Sequence, residues 1–148
     1  MSPKPFTLDS ILKFRKREKD LALEKVVRAQ LSVKQAAVAL KNAKDEQKNL
    51  IIGLETRQID GISVEELSRY EERIQYQHGK IVSLKRNHES KQKILQQKQQ
   101  KLFEKAKDHK TLTALKEQQN RTWKEYINKK EAAMLDEIAI LHHDRKTN

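Results

Sequence analysis

Ile59-Asp60-Gly61-Ile62-Ser63-Val64-Glu65-Glu66-Leu67 holds the one convincing turn in a chain that otherwise reads as helix. Ser63 and Glu66 have the spacing of a capping box, in which each side chain satisfies a free backbone N–H of the new helix. Ile62 and Leu67 stand at the two ends of a hydrophobic staple, which sets the angle of approach. Asp60-Gly61 supplies the reversal, because glycine accepts positive φ without steric cost. Long apolar repeats flank the turn on both sides, so the stretch predicts a helical hairpin.

Outward from the turn, a heptad fits residues 8–59. The a positions are Leu12, Lys19, Val26, Val33, Leu40, Gln47 and Leu54. The d positions are Leu8, Arg15, Ala22, Ala29, Ala36, Ala43 and Leu50. The run of Ala at d lets a partner backbone come close or leaves room for long side chains opposite. Thr7 reads as the N-cap, with Phe6 and Ile11 as a staple. The second heptad places Leu67, Ile74, Ile81, His88, Leu95, Leu102 and His109 at a. It places Tyr70, Gln77, Leu84, Lys91, Lys98, Lys105 and Leu112 at d. Beyond Leu112 the apolar pattern reads as a shifted stripe of Trp123, Ile127, Met134, Ile138 and Leu141, ahead of a polar tail, 144–148.

Closing the hairpin at Gly61 pairs residues whose numbers sum to about 124. Leu54 then meets Tyr70, with Gly53 leaving space for the ring. Leu50 meets Ile74, Leu40 meets Leu84, and Gln47 meets Gln77 in a polar layer that fixes register. Ala43, Ala29 and Ala22 meet Ile81, Leu95 and Leu102, small against large. At the open end Lys19 meets Lys105 and Arg15 meets His109, a mismatch of like charges that weakens that end. The second helix overhangs the first, which leaves its stripe uncovered and suggests a partner or self-association. The expected architecture is all-α, a single long antiparallel two-helix coiled-coil hairpin over 1–148. Helix 1 runs over about 8–59, the turn over 60–63 and helix 2 over about 64–143.

Composition agrees. Charged residues make up 36% and aromatics 5% of 148 residues, with three Gly and two Pro, as in long helices rather than a globule. The net charge of +11 favours acidic partners: nucleic acid, an anionic membrane or an acidic protein surface. With no Cys there is neither disulfide nor thiol chemistry. The N-terminus lacks the apolar core of a signal peptide, and no apolar run approaches the ~20 residues that span a bilayer. A cytoplasmic location is expected.

Few residues suggest chemistry. No two of His78, His88, His109, His142 and His143 are spaced i, i+4, as a helical metal site would require. No phosphate loop or nucleophile elbow is present, and the carboxylate pairs Glu65-Glu66 and Glu71-Glu72 lie on helical surface. No enzyme activity, metal, cofactor or small ligand is expected. The basic clusters, Lys13, Arg15, Lys16, Arg17 and Lys19 and the stretch 80–110, read as a solvated coiled-coil face, an acidic-protein site or a nucleic-acid site. Aromatics for stacking single strands are nearly absent. The Trp123 stripe reads either as core for a folded-back segment or dimer, or as a partner site.

Phe6-Thr7-Leu8-Asp9-Ser10-Ile11-Leu12 followed by Arg15 and Glu18 resembles the start of the FliJ family of flagellar export proteins. Gly61-Ile62, Tyr70 and Ile74 are similar to its hairpin end. Lys129-Lys130-Glu131, Leu135-Asp136-Glu137-Ile138-Ala139 and Arg145-Lys146 resemble its tail. The YscO-type injectisome counterpart has the same design. The resemblance implies a stalk similar to the γ subunit of rotary ATPases, placed in or under the hexameric ring of the type III export ATPase. It also implies contact with the cytoplasmic domain of the export-gate membrane protein, and binding of export chaperones, at the inner-membrane export apparatus. Lys13, Arg15, Lys16, Arg17 and Lys19, with Trp123, Ile127, Met134, Ile138 and Leu141, would form the ATPase end. The gate face would fall on Ala43, Glu46, Leu50, Arg73, Gln77, Lys80 and Leu84, which depart from the more apolar and aromatic residues usual there. Glu46, Arg73, Gln77 and Lys80 are the gate candidates. Nucleic acid is not an expected partner on this resemblance.

Overall fold

The computed structural model describes residues 7–147. They form two helices, α1 (Asp9–Asp60, 52 residues) and α2 (Val64–Thr147, 84 residues), joined by residues 61–63. The fold is the expected all-α hairpin, and there is no strand among the described residues.

The turn is built as its sequence dictates, with one change. Gly61 has φ of +92°, a conformation that L side chains resist. The Ser63 hydroxyl accepts the Glu66 N–H at 3.1 Å, and the Leu67 N–H donates to the Ser63 carbonyl at 2.9 Å. Ser63 is therefore the N-cap of α2. The return arm of the capping box goes elsewhere. Arg57 grips both Glu66 carboxylate oxygens, at 2.9 and 3.0 Å. A guanidinium offers two parallel charged donors where the backbone offers one neutral N–H, so the ion pair wins. Ile62 and Leu67 are both half-buried, as a staple requires.

The expected a and d positions of both helices are the inward-facing ones. From Leu8 to Leu54 and from Leu67 to Leu112 every one of them is buried or half-buried. The core is thin. It consists of Ala22, Val26, Ala29, Ala36, Ala43 and Ile81, with Gln77 among them. Four of these are the small d residues, which a close partner backbone shields most completely; Ala43 is 2% exposed. Two compact units make up the chain: Leu21–Phe103, and Met1–Asp20 with Glu104–Asn148.

Within Leu21–Phe103, the Tyr70 hydroxyl and ring lie 3.5 and 3.6 Å from where a Cβ on Gly53 would stand. The expected polar layer is corrected. Gln77 does not bond Gln47; its amide donates to the Ala43 carbonyl at 2.9 Å and to the Glu46 carboxylate at 3.0 Å. A carboxylate and a carbonyl beside a small residue are better acceptors for a buried amide than a second amide whose own donors would then need partners.

Within the other unit, the charge mismatch is resolved by a residue outside the a and d set. Glu18 accepts Lys105 at 2.9 Å and Arg15 at 3.2 Å. Asp9 does the same for Lys13 and Lys116, each at 3.3 Å. The register does not shift at Trp123. Lys116, Gln119 and Trp123 are half-buried at the positions that continue the α2 heptad, and past Thr113 the first half-buried residue off it is Ile127. The paired numbers of Arg57–Glu66, Gly53–Tyr70, Glu46–Gln77 and Glu18–Lys105 all sum to 123, and those of Asp9–Lys116 to 125.

Both helix ends differ slightly from expectation. The first α1 bond runs from the Leu12 N–H to the Leu8 carbonyl at 2.9 Å, which makes Leu8 the N-cap in place of Thr7; Phe6 lies outside the described residues. The polar tail is helical as far as Thr147. It contains no Gly or Pro to stop it, and Arg145 and Lys146 in the last turn suit the negative end of the helix dipole.

Candidate partner-binding surfaces

Side chains on a thin two-helix seam are mostly outside it, so the question is which outward faces are unusual. In the unit formed by Met1–Asp20 and Glu104–Asn148, the basic cluster divides by heptad position. Lys16 and Arg17 project freely into solvent, and Lys13 is exposed but paired with Asp9. Arg15 and Lys19 are half-buried, and Arg15 is held by Glu18 with its guanidinium 5.9 Å from the Phe14 ring centre. The Lys13 and Lys116 ammonium groups hold the Asp9 carboxyl below the usual carboxylate value. Lys105, then Arg15, do the same for Glu18. Both carboxylates therefore stay charged to lower pH than they would alone, and they engage Lys13, Lys116, Lys105 and Arg15 in ion pairs.

The Trp123 stripe divides too. Trp123 and Ile127 are half-buried. Trp123 stacks on Tyr126, with ring centres 5.6 Å apart and planes at 29°. The two rings, with Leu115, Thr122, Thr7 and Leu8, line an open groove of about 690 Å³. Past Ile127 every described residue to Lys146 is exposed. Met134, Ile138 and Leu141 are 55, 57 and 60% exposed, and Leu135 and Ile140 join them at 66 and 61%. These last two are outside the stripe that periodicity picks out, because Leu135 lies about 60° to one side of it and Ile140 about 100° to the other.

In the unit Leu21–Phe103, the gate candidates also part company. Arg73 and Lys80 are exposed, and Glu46 is exposed while accepting from Gln77. Gln77 is 5% exposed, and its amide nitrogen is occupied across the seam. It faces inward, and so does Ala43; Leu50 and Leu84 are half-buried. The groove beside them, about 610 Å³, is lined by Glu46, Asn49, Leu50, Tyr70, Arg73 and Tyr76 among others. Tyr76 is 74% exposed and went unnoticed in the sequence. The signal was there: an aromatic at an outer heptad position, in a chain with three tyrosines, has no packing reason to be one. The Glu66 carboxyl near the turn is lowered by Arg57.

Among the described residues no three His, Asp or Glu side chains gather as a metal site would need. No helix is long and apolar enough to cross a membrane.

Fold and surfaces together define a coiled-coil hairpin whose special features are outward faces: an exposed aliphatic run on α2 and two open grooves. The family described as flagellar FliJ protein matches residues 3–148, and the chain belongs to that family. It is thereby a component of the flagellar protein export apparatus, in a family that is non-catalytic. No curated protein and no solved structure matches the chain.

Proposed function

We propose that the chain is a non-enzymatic stalk and adaptor of the flagellar export apparatus, associated peripherally with the inner membrane through its partners. The unit containing both chain ends binds the hexameric export ATPase. The unit containing the turn binds the cytoplasmic domain of the export-gate membrane protein, and export chaperones are further partners. The observation that carries this reading is the run of α2 past Ile127. There a regular helix keeps Met134, Ile138 and Leu141 more than half exposed with no described residue over them. Exposed aliphatics at helical spacing are what a groove in a partner accepts. Lys16 and Arg17, free of ion pairs, would meet acidic rims on the same partner. On the turn unit, Arg73 and Tyr76 beside an open groove form the gate face, with Lys80 and Glu46 at its edge.

Adding the protein to the purified export ATPase should raise its ATPase rate and favour ring assembly. The double variant Met134→Asp/Ile138→Asp should lose both effects while melting as the parent does. No effect of the parent protein on either, under conditions where the ring otherwise forms, would sink the proposal.

A further inference from the structure

The net charge is not spread along the chain. Residues 45–79, around the turn, hold four Lys or Arg against eight Asp or Glu. Residues 21–44 and 80–103, which the layer count pairs with each other inside the unit Leu21–Phe103, hold twelve Lys or Arg against Glu24 and Glu89 alone. Those 48 residues thus carry ten of the chain's eleven net positive charges. None of the five salt bridges among the described residues involves them.

The same segment of α1 has a second apolar stripe. Leu23, Val27, Leu31 and Val38 are 48, 55, 55 and 50% exposed. At 100° per residue they fall within roughly an 80° arc, opposite the arc of Ala22, Val26, Ala29, Val33 and Ala36 that forms the seam. Lys34 and Lys41 lie within the same arc, among the aliphatics, and Arg28 lies about 60° beyond its far edge; all three are exposed. Heptad reasoning expects polar residues at these outer positions.

We propose that this outer face of α1 lies directly on an anionic lipid surface. A convex helix face that mixes aliphatic tips with long basic side chains suits the headgroup region, because Lys and Arg stems can lie along apolar surface while their charged heads reach outward. The aliphatic tips enter the acyl boundary while Lys34, Lys41 and Arg28 reach lipid phosphates. Such a surface needs no matching groove, and the helix need not span it; none here could. A second copy of the chain fits poorly, since pairing this face with itself would set Arg28, Lys34 and Lys41 of one copy against the same residues of the other. Duplex nucleic acid would use the charge and leave the four aliphatics in water.

The test is co-sedimentation of the full-length protein with phosphatidylglycerol-containing vesicles and with phosphatidylcholine vesicles, neither containing any protein. Binding should favour the anionic vesicles by at least about tenfold at moderate salt, since each basic residue near the surface contributes about fivefold. Lys34→Ala/Lys41→Ala should lower it by about tenfold or more. Leu31→Ser/Val38→Ser, at exposed positions that leave the fold intact, should lower it severalfold without changing the salt dependence. Equal binding to both vesicle types would overturn the inference. So would anionic binding that ignores Leu31→Ser/Val38→Ser, which would be charge attraction alone. Tighter binding to duplex DNA than to the anionic vesicles at the same salt, or a dimer in sedimentation that Leu31→Ser/Val38→Ser abolishes, would assign the face to those partners instead.

Discussion

The two units of this hairpin close on themselves by different means. Around the turn, geometry does the closing. A positive-φ glycine, a serine cap, a bidentate Arg57–Glu66 pair and a buried Gln77 each accept one arrangement only. In the unit with the chain ends, charge does it. Glu18 and Asp9 each gather two cations, and without them the basic seam would repel itself. Geometric closure leaves the outer face of the turn unit available for recognition without disturbing the core. Closure by charge leaves the other unit sensitive to anything that competes for those carboxylates.

The contrast breaks most readily at the small residues. Ala43→Leu, at a site 2% exposed, should overpack the seam beside Gln77 and destabilise by about 2–3 kcal/mol, read from urea melts by circular dichroism. Gly61→Ala forces a Cβ into a left-handed turn and should cost about 1–2 kcal/mol in the same assay. Changes of the opposite sign are available on the same unit. A Cβ at Gly53 would make ordinary contact with Tyr70, and one at Gly79 would meet nothing. Each Gly→Ala change should therefore stabilise by about 0.5–1 kcal/mol through helix propensity.

Acid sharpens the other side of the comparison. Asp9, Glu18 and Glu66 have folded-state values lowered by their cationic partners. Their contribution is fully present above the unfolded carboxylate value near 4. It is lost as pH falls through the lowered folded values. The effect is smaller than those above because these groups keep contact with water. Glu18→Gln should make melting less sensitive to pH across that window, whereas a glycine variant at the turn should not. Smallest of all, Met134→Asp/Ile138→Asp should shift stability by less than about 0.5 kcal/mol, since neither side chain packs on anything described.

Most of the fold was legible because the seam repeats. A heptad constrains every seventh residue, so one turn and one count place the whole inward face. What the count could not give was the use made of neighbouring positions. Glu18 stands beside the a residue Lys19, and only the structure shows it reaching Lys105 and Arg15. Gln77 was correctly expected inside, yet its partners are a backbone carbonyl and Glu46, which a layer of facing side chains does not anticipate. The candidate surfaces were legible only in outline. Periodicity found Met134, Ile138 and Leu141, and it passed over Tyr76 and the Leu23–Val27–Leu31–Val38 ridge because outer positions were assumed to be solvated.

The three-residue link at 61–63 also sets an order of events in time. Arg57 and Glu66 are nine residues apart in the chain, and Asp9 and Lys116 are 107 apart. Closing the longer loop first would cost about 2 kcal/mol more in chain entropy than closing the shorter one. Refolding should therefore zip from the glycine outward, with the contacts nearest the chain ends made last. The single tryptophan, Trp123, lies among those late contacts, so its fluorescence should recover after the helical signal has largely returned. Simultaneous recovery of both would mean that the hairpin closes in one step.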